Sequence, residues 1–275
     1  MKYINKSLTI ERVKVQNIAK KFGTPVYCYS YEQLKENINN FKKKFNSFAP
    51  LICFAVKSNS NIAVLQTLAA LGAGFDIVSI GELERVLMAG GDPKKVVFSG
   101  LAKTADEMSR ALEAGIHCFN VESESELVLL NATAARLSIN APVSIRVNPD
   151  VDAKTHPYIS TGLKEDKFGI DIDLALGVYE RAAQMDNIDL IGVDCHIGSQ
   201  LTEVKPFIDA MVRLLILVDQ LAEEDIPLAH IDIGGGLGVR YQDEQTLSVG
   251  DYMTELLPLL AQRDETLILE PGRSI

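Results

Sequence analysis

No apolar run in the sequence approaches the roughly 20 residues needed to cross a bilayer, so a helical membrane protein is not expected. The opening Met1-Lys2-Tyr3-Ile4-Asn5-Lys6-Ser7 lacks the apolar centre of a secretion signal, and a cytoplasmic protein is expected. Positive charge is in deficit: 27 Lys and Arg stand against 37 Asp and Glu, and the formal charge of -10 argues against a nucleic-acid partner. The one basic run, Lys42-Lys43-Lys44, falls in a helical stretch and is expected to be a solvated face. Cys28, Cys53, Cys118 and Cys195 lie far apart, each in an apolar run and without metal-ligand spacing, so buried free thiols are expected. Nor do His117, His156 and His230 share a paired spacing with His196, so no metal site is expected there. A small-molecule enzyme is what these absences leave.

What is present is alternation. Short apolar runs at Leu51–Val56, Gly74–Val78, Val96–Ser99, His117–Val121, Pro142–Val147, Leu190–Cys195, Ala229–Ile233 and Thr266–Glu270 predict strands. Amphipathic patterns near 31–46, 62–71, 81–89, 105–114, 124–137, 173–185, 203–222 and 249–262 predict the helices between them. Ser30…Gln33, Ser79…Glu82, Thr104…Glu107 and Ser123…Glu126 fit the capping box at four helix starts. With 275 residues, 47% of them hydrophobic, the chain can close one (β/α)8 barrel. A doubly wound open sheet is the alternative. Residues 148–171, marked by Pro149, Pro157, Gly162 and Gly169, form a connection long enough to suggest function.

A barrel keeps its chemistry at the carboxyl ends of its strands, and those positions are polar here. Lys57 follows an apolar strand, where burial would lower its pKa and free the amine for attack on a carbonyl; a snorkelling lysine would occupy the same place. Asp76 lies in the second strand, and Arg146 and Asn148 end the fifth. His196 ends the sixth and is followed at once by Gly198 and Ser199. Gly234-Gly235-Gly236 after the seventh suits either a phosphate cradle or a tight turn, and lacks the spacing of a dinucleotide fingerprint. Glu270-Pro271-Gly272-Arg273 closes the eighth: Glu270 needs a partner if buried, and Arg273 could clamp a phosphate or carboxylate. The alternative for these two is an ordinary surface ion pair. A carbonyl-reactive lysine, a phosphate cup, a ring-facing histidine and a carboxylate for a pyridine nitrogen together describe a pyridoxal phosphate site.

The sequence resembles the barrel-type pyridoxal-phosphate decarboxylases over nearly its whole length. The resemblance is carried in order by Phe54-Ala55-Val56-Lys57-Ser58-Asn59, Phe75-Asp76-Ile77-Val78-Ser79, Arg146-Val147-Asn148-Pro149, Lys167-Phe168-Gly169, His196-Ile197-Gly198-Ser199-Gln200, Gly234-Gly235-Gly236 and Glu270-Pro271-Gly272-Arg273. Ser58 stands where alanine is commoner. Residues 150–162 are similar to the branch acting on diaminopimelate rather than on ornithine or arginine. The resemblance implies that Lys57 holds the cofactor covalently, His196 stacks on its ring and Glu270 pairs with the pyridine nitrogen. It also implies that Ser199, Gly234, Gly235, Gly236 and the Gly272–Arg273 backbone hold the phosphate. The Arg273 side chain would contact a substrate carboxylate, and Asp76 and Arg146 would lie around the cofactor. Decarboxylation of meso-2,6-diaminopimelate to L-lysine is the activity implied.

In that family the chain continues past Glu-Pro-Gly-Arg into a β-domain that contributes a cysteine and a tyrosine, partly across a two-fold homodimer. A chain stopping at Ile275 is expected to be shortened, with residues 1–30 as a segment that would pack on that domain and 31–275 as the barrel. Turnover by the barrel alone is not implied. The competing readings are a non-catalytic pyridoxal-phosphate-binding barrel, a decarboxylase of D-lysine or ornithine, a cofactor-free aldolase using Lys57 alone, and a racemase. The aldolase leaves Glu270 unexplained, and a racemase is expected to pair the ring nitrogen with arginine.

Overall fold

The computed structural model describes residues 1–43, 49–152 and 168–275. Eight parallel strands close on themselves: β4 (Leu51–Ala55), β5 (Gly74–Ile77), β6 (Val96–Phe98), β7 (Cys118–Val121), β8 (Ala141–Asn148), β10 (Ile188–Asp194), β11 (His230–Asp232) and β12 (Thr266–Leu269). Pairing runs in that order, and β12 returns to β4 through Ile268↔Leu51 and Leu269↔Ile52. This closure decides for the barrel over the open sheet. Each strand is followed by a helix except β12: α3 (Ile62–Ala70), α4 (Ile80–Met88), α5 (Ala105–Ala114), α6 (Glu124–Leu137), α7 (Ile172–Ala182), α8 (Lys205–Glu223) and α9 (Val249–Leu260). Helix α2 (Tyr31–Lys43) precedes the first barrel strand, and the two-residue β9 (Ile170–Asp171) pairs with the end of β8.

Strand alternation sorts the side chains into two compartments. Phe75 and Ile77 of β5, Phe98 of β6 and Phe119 of β7 point outward into the packing with the helices, fully buried. Removing one such side chain from water is worth about 1.5–3 kcal/mol, so this shell carries much of the stability. The intervening residues point into the barrel. Low in the interior Cys53, Val97, Cys118 and Ile268 form a separate small cluster. Above them, toward the carboxyl ends, come Asp76, Asn120, Ser144, Arg146, Asp194, Asp232 and then Glu270, all buried.

Three short strands, β1 (Lys2–Ile4), β2 (Ser7–Ile10) and β3 (Val13–Lys14), and helix α1 (Val15–Phe22) form an antiparallel N-terminal unit not anticipated from the sequence. Its strands are too short to show an alternating pattern. Cys28 is exposed, against the expectation of a buried thiol; Cys53, Cys118 and Cys195 are buried. Of the four capping boxes only Thr104–Glu107 is reciprocal. Ser30, Ser79 and Ser123 accept from the predicted backbone N–H, but Glu82 and Glu126 reach one residue further back, to Val78 and Glu122. Lys44, Lys167 and most of residues 148–171 lie outside the described residues.

Candidate active site

The polar upper layer opens into a cavity of about 610 Å³ at the carboxyl ends of the strands, a size suited to a small ligand. Lys57, His196, Ser199, Gly236, Glu270, Gly272 and Arg273 line it, joined by Tyr29, Asn59 and Tyr241. Asp76, Arg146, Gly234, Gly235 and Pro271 stand behind or beside these.

Lys57 leaves β4 on the three-residue turn Val56–Ser58. Its ammonium is 2.6 Å from Asp76 Oδ2, one strand over and fully buried. Burial pushes the lysine pKa down, but Asp76 and Glu270 more than reverse it, and the net shift is upward. The expectation of a lowered pKa is therefore corrected: Asp76, absent from a reading of β4 alone, holds the amine charged.

Glu270 follows β12 and is buried. Asn120 Nδ2 donates to its Oε1 at 3.3 Å. Asp194, Asp232 and Glu270 each bring a carboxylate oxygen within 4.8 Å of the others. Burial, then the neighbouring Asp232, Asp76 and Asp194, push the Glu270 pKa well up. Asp232 is pushed up too, by burial and Asp194. Asp194 rises to about 7, mainly through burial, with Arg146 opposing. A carboxyl held among carboxyls favours a cationic group facing it, and a protonated ring nitrogen meets that demand. Asp194 and Asp232 were not singled out from the sequence, although each ends an apolar strand, which is signal enough.

Arg146 is buried beneath the cavity, its Nη1 3.3 Å from Glu122 Oε1 and its Nε 3.8 Å from Asp194 Oδ2. The guanidinium also lies 4.9 Å from the centre of the Phe168 ring. His196 is half-buried, and its Nδ1 accepts from the Gly235 N–H at 3.2 Å. Burial, with Arg146 and Lys57 nearby, pushes its pKa well down, so it is a neutral imidazole.

The glycine turn is stitched to its neighbours from both sides. Asp232 Oδ1 accepts from Gly234 N at 2.8 Å, an Asx turn that starts the loop. Gly234 O accepts from Glu270 N at 2.7 Å, and Gly236 O from Leu201 N at 2.9 Å. Gly234 and Gly236 have φ of 66° and 107°, and a Cβ on Gly236 would run into the Gly198 carbonyl. Only glycine serves there. The result is a concave backbone surface bounded by Gly198-Ser199, Gly234–Gly236 and Gly272, of the kind that receives a phosphate. Arg273 donates to Ser199 Oγ from Nε at 3.3 Å and Nη2 at 3.2 Å, and to the Tyr241 hydroxyl from Nη1. Tyr241 is a further lining residue that the sequence did not flag. Of the sequence-predicted positions, Lys57, His196, Ser199, Gly236, Glu270, Gly272 and Arg273 line the cavity, whereas Asp76, Arg146, Gly234, Gly235 and Pro271 do not, and Asn148 is buried at the end of β8.

A (β/α)8 barrel with a lysine, a buried acid and a glycine cradle at its carboxyl mouth defines a cofactor-binding barrel. The family model "Pyridoxal-dependent decarboxylase, pyridoxal binding domain" matches residues 31–275, and the chain belongs to that family. The family's cofactor is pyridoxal phosphate, and the cradle and the acid-facing Glu270 fit its phosphate and its ring nitrogen. The chain is 60% identical to a diaminopimelate decarboxylase of Pseudomonas aeruginosa, over 99% of its own length and 66% of the relative's. It is 56% identical to the Vibrio cholerae diaminopimelate decarboxylase, over 98% and 64%. The crystal structure of Helicobacter pylori diaminopimelate decarboxylase complexed with L-lysine superposes with a TM-score of 0.92 at 42% identity, covering 95% of this chain and 66% of that one. The chain thus spans about two thirds of the length of the curated relatives it matches.

Proposed function

We propose that this chain is the cofactor-binding barrel of a diaminopimelate decarboxylase, which removes one carboxylate of meso-2,6-diaminopimelate as CO2 and leaves L-lysine. The observation that carries the reading is Glu270, a buried carboxyl surrounded by other carboxyls in the same cavity as Lys57. The names of the relatives, and the L-lysine bound in the Helicobacter pylori structure, support the substrate.

When bound, pyridoxal phosphate supplies a conjugated ring that takes up the electron pair left by departing CO2. Lys57 would hold the cofactor covalently. Its amine, paired with Asp76 Oδ2 and held charged by it, must lose a proton before it can do so. Glu270 would hold the proton on the ring nitrogen, keeping the ring electron-poor. Neutral His196 would stack on the ring without adding charge. Ser199, Gly234, Gly235, Gly236 and the Gly272–Arg273 backbone would take the phosphate, with Pro271 beside the cofactor. Arg146 and Asp76 would lie around the cofactor, and the Arg273 side chain would bind a substrate carboxylate, steadied by Ser199 and Tyr241. The whole protein would act in the cytoplasm as a homodimer. Residues 1–30 would pack on a further domain, which suits the exposure of Tyr3, Val13, Phe22, Val26, Tyr27 and Tyr29.

CO2 release from meso-diaminopimelate, D-lysine and ornithine, assayed on this chain and on a chain extended to the relatives' length, tests the proposal. The extended chain should release CO2 from meso-diaminopimelate foremost; release only from ornithine would overturn the substrate, and none from any diamino acid would overturn the activity.

A further inference from the structure

The opposite mouth of the barrel holds a second cluster that the cofactor chemistry does not use. Cys118 is the first residue of β7, His117 immediately precedes it, and His230 is the first residue of β11. One candidate donor atom from each lies within 4.8 Å of the other two. Cys118 Sγ and His230 Nε2 are 3.9 Å apart, and the two imidazole centres are 5.2 Å apart. That sulfur-to-nitrogen separation is close to what one ion bound at about 2.3 Å to sulfur and about 2.0–2.1 Å to nitrogen would impose.

Three further observations bear on it. His117 Nε2 is buried with no hydrogen-bond partner among the described residues, and so is Nδ1 of His230 (2% exposed), the ring nitrogen other than the one 3.9 Å from Cys118. Buried polar nitrogens without partners are uncommon and call for an explanation. The space for the His230 ring depends on Gly192 across the β10–β11 pair, where any Cβ would collide with the imidazole. On the thiol side, Cys118 Sγ lies 3.6 Å from Asn120 Oδ1 and 3.9 Å from His230 Nε2, both hydrogen bonds long enough to give way.

We propose that His117, Cys118 and His230 form a binding site for a borderline-soft divalent metal ion of the zinc class at the amino-terminal mouth of the barrel, opposite the cofactor cavity. Two imidazoles and one thiolate are the donors such an ion selects. Binding forms one metal–sulfur and two metal–nitrogen bonds and releases the thiol proton to solvent. His117, half-buried, gives the ion access from outside. A site joining β7 to β11 across the barrel floor would act as a clamp on the fold rather than on the reaction.

The test is a titration of the metal-stripped chain with Co2+, followed by Zn2+ and read by absorbance. One Co2+ per chain should bind with a sulfur-to-cobalt charge-transfer band and tetrahedral visible bands, and Zn2+ should displace it. Cys118→Val should lose the band and His117→Ala should lose stoichiometric binding, each with unchanged far-ultraviolet circular dichroism. Cys28→Ser, which alters the exposed thiol, should leave the band intact. Zn2+ should also raise the melting temperature of the wild-type chain and not that of His117→Ala, a readout that stands even if Cys118→Val fails to fold. Absence of the band, its survival in Cys118→Val, or its loss in Cys28→Ser would overturn the site.

Discussion

The two mouths of this barrel are built by the same strands and differ in what those strands place inside. At the carboxyl mouth the interior is full of ionisable groups: Asp76, Arg146, Asp194, Asp232 and Glu270 are all buried there, the last three with carboxylate oxygens within 4.8 Å of one another. At the amino mouth it is uncharged, with Cys53, Val97, Cys118 and Ile268 packed against one another and two neutral histidines beside them. Burying several carboxylates together raises their proton affinities and destabilises the fold unless cations compensate. Lys57 and Arg146 supply part of that compensation. The difference teaches that strain is concentrated at the reactive end, and the other end is left to hold the fold together.

The sharpest way to break the contrast is at Glu270. Glu270→Gln keeps the shape of the side chain but can no longer present a carboxylate to the ring nitrogen, so it should bind pyridoxal phosphate while turnover of the extended chain falls by roughly 10²–10³-fold, the range for losing one placed electrostatic group. Steady-state CO2 release beside a cofactor titration separates the two effects. At the phosphate cradle, Gly236→Ala forces a Cβ toward the Gly198 carbonyl at φ 107°. A loss of about 2 kcal/mol in denaturant unfolding is expected, with weaker cofactor binding.

Asp194 sharpens the contrast through pH. Its carboxyl, pushed up to about 7, holds a proton in the folded chain that the unfolded chain has already released. Its stabilising contribution is therefore present below about pH 4 and lost as pH rises through about 7. Between pH 5 and 8 the wild type should lose on the order of 2 kcal/mol from this group, and Asp194→Asn should flatten that slope in urea unfolding. The smallest effect belongs outside the barrel wall, below the reactive mouth. The Tyr179 hydroxyl donates to the Gly192 carbonyl at 2.7 Å, fully buried. Tyr179→Phe should lower stability by about 1 kcal/mol and leave cofactor binding unchanged.

Most of the reactive mouth was legible in the sequence because its residues sit in short contiguous motifs at strand ends, where the fold itself collects them. The eight strands were legible as apolar runs whose limits differ from the observed ones by at most two residues, whereas closure over an open sheet rests on the β12–β4 pairing. Lys57 was legible as a residue but not in its ionisation, because Asp76 lies 19 residues away and meets it only across the β4–β5 register. Asp194 and Asp232 acquire their meaning from each other and from Glu270, on three different strands. The amino mouth was the least legible. Cys118 and His230 are 112 residues apart, and no local spacing rule connects them. The N-terminal strands escaped because runs of two to four residues are too short to carry a periodicity.

The central claim is that Lys57 is the group that takes the cofactor, and covalent trapping tests it most directly. The chain incubated with pyridoxal phosphate and reduced with borohydride should gain the mass of one cofactor, and the modified peptide should carry it on Lys57. Lys57→Ala should gain none at any site. Trapping on another lysine, or unaltered trapping in Lys57→Ala, would contradict the account.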